Sequence, residues 1–123
     1  MCKMNGEKTI QNKSYRFAIR TVQLFKYLCD KKKEYILSKQ ILRSGTSIGA
    51  NIEESIGGQS EKDFLSKINI AYKEARETHY WLRILRDTGY INASIAESML
   101  KDCEDLLRMT GSTIRTMKKK INK

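Results

Sequence analysis

The groups in this chain that can do chemistry are 14 acids, 24 basic residues, one histidine and three cysteines. His79 stands alone. A di-iron bundle site is built on two Glu-x-x-His pairs, and the residue three before His79 is Arg76, not a glutamate. His79 therefore reads as a packed or surface residue rather than a ligand. Cys2, Cys29 and Cys103 are odd in number and far apart, with no Cys-x-x-Cys. They read as reduced thiols, neither a disulfide frame nor a zinc site. The chain has no Walker loop, no Gly-x-Ser-x-Gly elbow and no His-Glu-x-x-His,. Gly57-Gly58 before a helix can seat an anion, but as a helix stop the pair needs no ligand. With no nucleophile–base pair and no metal set, the sequence argues against an enzyme and implies no cofactor.

Glu53, Glu54, Glu74 and Glu77 are the remaining candidate acids. Glu77 lies one step from the apolar face of its helix. Turned inward it needs a partner, because an unpaired buried carboxylate is very costly. Arg43, on the preceding helix, can pair with it bidentately. Ser44, Ser47 and Asn51 can satisfy the remaining hydrogen-bond sites. The expectation is a structural network, not catalysis.

Those residues need helices to position them. The chain has no proline, helix formers dominate, and β-branched residues never alternate with polar ones,. Residues 1–13 read as a flexible basic lead-in. Ser14 is the expected N-cap of a first helix over 14–31. Its apolar face is Tyr15, Ala18, Val22, Phe25 and Cys29, with Ile19 and Leu28 beside it. A second helix spans about 34–56, facing inward through Leu37, Ile41, Ser44, Ile48, Asn51 and Ser55. Gly57-Gly58 is expected to end it in left-handed geometry. Ser60 caps a third helix over 60–88, with Asp63 in the acidic capping-box place. Phe64, Ile68, Ala71 (or Tyr72), Ala75, Thr78 (or His79), Leu82 and Leu85 form its face, and Gly89 stops it. Asn92 caps a fourth helix over 92–120, with Ile95, Met99, Cys103, Leu106, Thr110, Thr113 and Met117 inward. Short connections make neighbours antiparallel. The fold is therefore all-α, an up-down-up-down four-helix bundle in one domain.

The net charge of +10 favours a polyanion or an acidic partner,. Residues 1–35 carry nine basic residues against three acids, and residues 91–123 carry seven against four. An up-down bundle puts the first helix's start beside the fourth helix's end. Lys3, Lys8, Lys13 and Arg16 then share a pole with Arg115, Lys118, Lys119, Lys120 and Lys123, and Arg20 and Lys26 extend it. Such a patch binds phosphate backbones, RNA or DNA, through counterion release. Gly45 and Gly49, four apart with Ala50 adjoining, invite close approach of another helix. Tyr72, Tyr80 and Trp81 lie at or beyond the edge of the third helix's stripe and suggest a subunit interface. No signal-peptide core is present and no apolar run approaches about 18 residues, so the expected location is cytoplasmic, with no membrane contact.

Gln40, Arg43-Ser44, Ser47-Ile48, Asn51-Ile52, Glu54, Ser60 and Asp63-Phe64 resemble the signature of a family of small bacterial four-helix bundles. The match continues through Ile70-Ala71, Glu74-Ala75, Glu77-Thr78, Tyr80-Trp81-Leu82 and Gly89-Tyr90, and covers residues 14 to 118. Its members include the 23S rRNA intervening-sequence proteins and the accessory variability determinants of diversity-generating retroelements. Many members read Asn-Ile-Ala-Glu-Gly where this chain has Asn51-Ile52-Glu53-Glu54-Ser55. The resemblance implies an antiparallel bundle that assembles as a homo-oligomer, in known cases a homopentamer. In the retroelement members the basic ring is similar to a docking platform for a reverse transcriptase and nucleic acid. The sequence thus points to a non-enzymatic basic oligomer that binds nucleic acid or a nucleic-acid enzyme. The alternative is a protein–protein interaction scaffold whose charge serves solubility.

Overall fold

The computed structural model describes residues 9–122. Helix α1 spans Ile10–Asp30, α2 Leu37–Ile56, α3 Glu61–Asp87 and α4 Ala93–Ile121. Contacts run α1–α2, α2–α3, α3–α4 and α1–α4, with none across either diagonal. That is the square of an antiparallel up-down-up-down bundle. Of the four seams, α1–α4 is much the thinnest.

Three of the four N-termini are capped by the neighbouring side chain. Thr9 accepts from the Asn12 N–H at 3.2 Å, Ser60 from Asp63 at 3.0 Å, and Asn92 from Ile95 at 2.8 Å,. Helix α2 is capped differently. Its N-cap Ile36 offers no side chain, and Glu34 takes the role. The Glu34 carboxylate accepts from the backbone N–H groups of Ile36, Leu37 and Ser38 at 3.2, 3.0 and 2.7 Å. Burial acts to raise its pKa, but these hydrogen bonds prevail and hold it below the ordinary carboxylate value,. Lys33, at φ 54°, lets the chain turn back into this cap.

The lead-in differs from the expectation. Residues 1–8 lie outside the described residues, and Ile10–Lys13 is already helix. Thr9 supplies the cap and Ile10 packs against the core, so Ser14 is not a cap. It is buried inside α1, its hydroxyl donating to the Gln11 carbonyl at 3.0 Å.

The core is Phe17, Leu24 and Leu28 from α1, Ile41, Ile48 and Ile52 from α2, and Ile68, Ala71, Ala75, Leu82 and Leu85 from α3. From α4 come Ala96, Met99, Leu100, Cys103, Leu106 and Ile114. Each fully buried leucine or isoleucine contributes about 1.5–3 kcal/mol. The expected faces of α2, α3 and α4 hold in outline. That of α1 does not. Its buried row is Ser14, Phe17, Thr21, Leu24 and Leu28, one residue off the expected row. One residue is about 100° of helix rotation. Tyr15, Ile19 and Val22 consequently face solvent.

The α2–α3 turn also departs from expectation. Gly57 has φ −86°, and among the described glycines only Gly89, at +82°, is left-handed. Gly58 is needed for space instead. A Cβ there would stand 3.1 Å from the Ser55 carbonyl oxygen and 3.3 Å from the Asp63 Cβ. A side chain at this reversal would be crowded, and its neighbours would have to give by a few tenths of an ångström.

Candidate nucleic-acid interface

The basic residues assigned to one pole divide into two groups. On the α1 side, Lys13, Arg16, Phe17, Arg20 and Asp102 line a cleft between α1 and α4. Its cations are engaged. The Arg20 guanidinium lies 2.6 Å from the Asp102 carboxylate, and Lys13 Nζ lies 3.7 Å from Asp105. Asp105 also accepts from Arg108 at 2.9 Å. That bond outweighs the opposing effect of burial, Lys101 and Lys13 assist, and the carboxyl sits below its ordinary range. Lys26 is exposed farther along α1.

The second group lies at the end of α4. Lys13 is level with Asp105, and Arg115 is ten residues farther on, about 15 Å of helix,. Among the described residues, Lys13 and Arg115 are therefore set apart along the bundle axis. Lys120 is paired with Glu61 at 2.6 Å, which ties the end of α4 to the start of α3. Arg115, Lys118 and Lys119 are exposed and make no ion pair among the described residues. Lys3, Lys8 and Lys123 lie outside the described residues.

The Arg43 network forms, with different members. Arg43 Nη2 donates to Glu77, and Nη1 donates to Glu74 at 3.1 Å. The Trp81 indole N–H donates to the same Glu77 oxygen at 3.0 Å. The indole bond is the strongest influence lowering the Glu77 pKa; burial opposes it, and Arg43 adds to it. The cluster straddles the α2–α3 surface: the Arg43 side chain is 50% exposed and that of Glu77 36%. It is not interior. Ser47 and Asn51 do not reach the carboxylates, and their side chains donate to the α2 carbonyls of Arg43 and Ser47. Ser44 is buried and meets Thr78 across the seam, oxygen to oxygen at 2.9 Å. Glu74 and Trp81 are the members that sequence reasoning missed. Both lie one helical turn from Glu77, and that spacing was the available signal.

Gly45 and Gly49 do admit a close helix, but it is α1 of the same chain. A Cβ on Gly45 would lie 2.6 Å from Thr21 Cγ2, and one on Gly49 would lie 3.3 Å from the Ser14 carbonyl oxygen. Both glycines are buried against α1, and Gly49 also lines a surface groove beside that helix. Tyr72 is half-buried, its ring edge beside Gly111. Trp81 packs on the core, whereas Tyr80 remains 49% exposed. The two rings meet at 5.1 Å and 69°. The larger unpartnered apolar surface is Tyr15, Ile19 and Val22 on α1. It borders a groove floored by Ala18, Gly49 and Ala50.

Cys103 and His79 both make contacts between α3 and α4. The Cys103 thiol is buried, donates to the Ala75 carbonyl at 3.2 Å and is pushed up to about 12 by burial, with Glu104 and Asp102 adding to the shift. It stays protonated at physiological pH. His79 Nε2 lies 3.0 Å from Glu104 and helps bind α3 to α4. Among the described residues no group of three His, Cys, Asp or Glu is placed to hold a metal. No described helix is long and apolar enough to cross a membrane.

Comparisons with known proteins agree with this architecture. The chain is similar to a solved protein of unknown function from the S23 ribosomal protein family of Bacteroides thetaiotaomicron. The two are 49% identical, covering 86% of this chain and 98% of the other, with a TM-score of 0.85. No curated protein matches. The model of the 23S rRNA-intervening sequence proteins matches residues 7–112. With the motif from Gln40 to Phe64 inside that span and the square bundle around it, this chain belongs to the 23S rRNA-intervening sequence protein family.

Proposed function

We propose that this protein is a non-enzymatic, cytoplasmic, homo-oligomeric bundle that binds nucleic acid, RNA or DNA, alone or together with a nucleic-acid enzyme such as a reverse transcriptase. The observation that carries the reading is how charge is distributed. The acids Asp102, Asp105, Glu61, Glu74 and Glu77 are taken up by cations of the same chain. The surplus of a +10 chain is thereby left on exposed lysines and arginines. Such a surface attracts phosphate backbones without reading sequence. The exposed Tyr15–Ile19–Val22 stripe supports self-assembly, because monomeric proteins seldom leave a continuous apolar face in water,. By likeness to the retroelement members, the assembly is a ring of five.

The test is a salt titration of binding to unstructured RNA and single-stranded DNA. The expected result is a linear fall of log K with log salt, with a slope of about −2 for three phosphate contacts. Affinity that is absent, or flat in salt, overturns the nucleic-acid reading. It would favour a protein-interaction scaffold acting through the α1 stripe. Light scattering that finds a monomer at micromolar concentration removes the homo-oligomer.

A further inference from the structure

The outward face of α3 carries a row of polar and basic side chains. Lys62, Ser66, Asn69, Lys73, Arg76, Tyr80 and Arg83 follow one another at alternating steps of four and three. That is the spacing of a single helix face, and here it is the outward one. All seven are exposed except Asn69, which is half-buried. The row carries four cations and no acid. Lys62, Lys73 and Arg76 make no ion pair among the described residues. The acids of α3 that would oppose them are drawn aside. Glu74 and Glu77 turn to Arg43, and Glu61 turns to Lys120. Asp63 and Asp87 lie only at the two ends of the helix, and Asp87 holds Arg86.

We propose that this outward row of α3 is a track for single-stranded nucleic acid, its cations on phosphates spaced along the strand and Tyr80 stacked on an unpaired base. The inference rests on the nucleic-acid reading above and names the surface and the strand state. From Lys62 to Arg83 the row is about 32 Å long at 1.5 Å per residue. That length accommodates about nine stacked nucleotides at 3.4 Å each. Tyr80 is half in solvent, and the Arg83 guanidinium stands over its ring, 5.8 Å from the centroid. A paired base has both faces covered by its neighbours in the helix, so an exposed tyrosine selects unpaired bases. At the lower end, Lys62 and Lys73 flank an open groove that contains Ser66 and Asn69 and is closed by Ile121. These two polar side chains can bond sugar or base groups while the lysines hold the backbone. The row lies on the helix diagonal to α1 and so does not share a face with the α1 stripe.

The test is fluorescence anisotropy with a labelled RNA of about nine nucleotides, the matching DNA strand and the RNA duplex. The full chain is used, with far-UV circular dichroism confirming that each variant is folded. Wild type is expected to bind either single strand more tightly than the duplex. The two single-strand arms decide whether the sugar matters. Lys73→Gln with Arg76→Gln should flatten the salt slope by about 1.4, at 0.7 per phosphate. Tyr80→Ala should weaken single-strand binding by about 5- to 150-fold with the slope unchanged. Tyr80→Phe should bind as wild type. Lys31→Gln with Lys32→Gln, in the α1–α2 turn, should leave the slope as it is. If wild type binds with a salt slope that the row variants share, the track is overturned and the general reading stands. If wild type binds no nucleic acid, the general reading itself has failed. A Tyr80→Ala variant that loses both binding and assembly mass assigns Tyr80 to a subunit contact and also overturns the track.

Discussion

The α1–α2 and α1–α4 seams hold the same helix by opposite means. Toward α2, α1 presents Ser14 and Thr21 to Gly49 and Gly45, and the backbones close to within a side chain's width. Toward α4 the contact is thin, and long polar arms span it: Arg20 to Asp102 and Lys13 to Asp105. A close seam of small residues has one solution for the rotation of α1. Ion pairs on flexible stems accept many. The glycines therefore decide which face of α1 is buried, and the apolar residues on the helix do not. Tyr15, Ile19 and Val22 remain outside because no position opposite Gly45 and Gly49 can take them.

This contrast can be broken most strongly at Gly45. Gly45→Val should cost about 3 kcal/mol, the upper end for overpacking. Urea unfolding should show a lowered midpoint, and Thr21→Ala should restore part of the loss in the double variant. A midpoint equal to wild type would mean that the seam is loose.

The α2–α3 surface supplies an intermediate case, a polar cluster fixed by several partners at once. Arg43→Met should cost about 1 kcal/mol, since the pair is half exposed and solvent screens it. It should also alter the acid limb of the stability curve. The folded Glu77 pKa lies below its ordinary value. Its contribution is thus complete above the unfolded pKa and disappears as pH falls through the folded one. Wild type should lose stability below about pH 4.5 more steeply than the variant. Equal slopes in urea melts across that window would exclude the Arg43 contact as a source of the Glu77 shift.

The smallest effect is expected at α1–α4. Arg20→Gln should cost about 0.5 kcal/mol or less, and the loss should vanish in high salt. A larger, salt-independent loss would show that the ion pair, not the glycine seam, positions α1.

How much was legible in the sequence follows the same division. Helices α2, α3 and α4 each carry one apolar row, and reading it placed Ile48, Ala75 and Leu106 correctly in the core. Helix α1 carries two overlapping rows. Val22 and Phe25 are far more apolar than Ser14 and Thr21, so apolar content alone favours the wrong one. The correcting signal was on another helix, in Gly45 and Gly49. Charge was legible as a total but not as pairs, because Arg20 and Asp102 are 82 residues apart. The Arg43–Glu77 contact was readable from adjacency, whereas its position at the surface was not. The basic row of α3 obeys the same four-three spacing as a core face. A pattern of apolar residues does not reveal it, because its members are polar and basic.

The thinness of the α1–α4 seam has a consequence for how the chain finds its fold. Every other seam joins helices that are neighbours in sequence, linked by short turns, and so is inexpensive in loop entropy,. Only α1–α4 closes nearly the whole chain, and it returns the fewest contacts. The topology thereby keeps contact order low and places the entropic burden of ring closure on the seam with least at stake, the regime in which helical bundles fold fast.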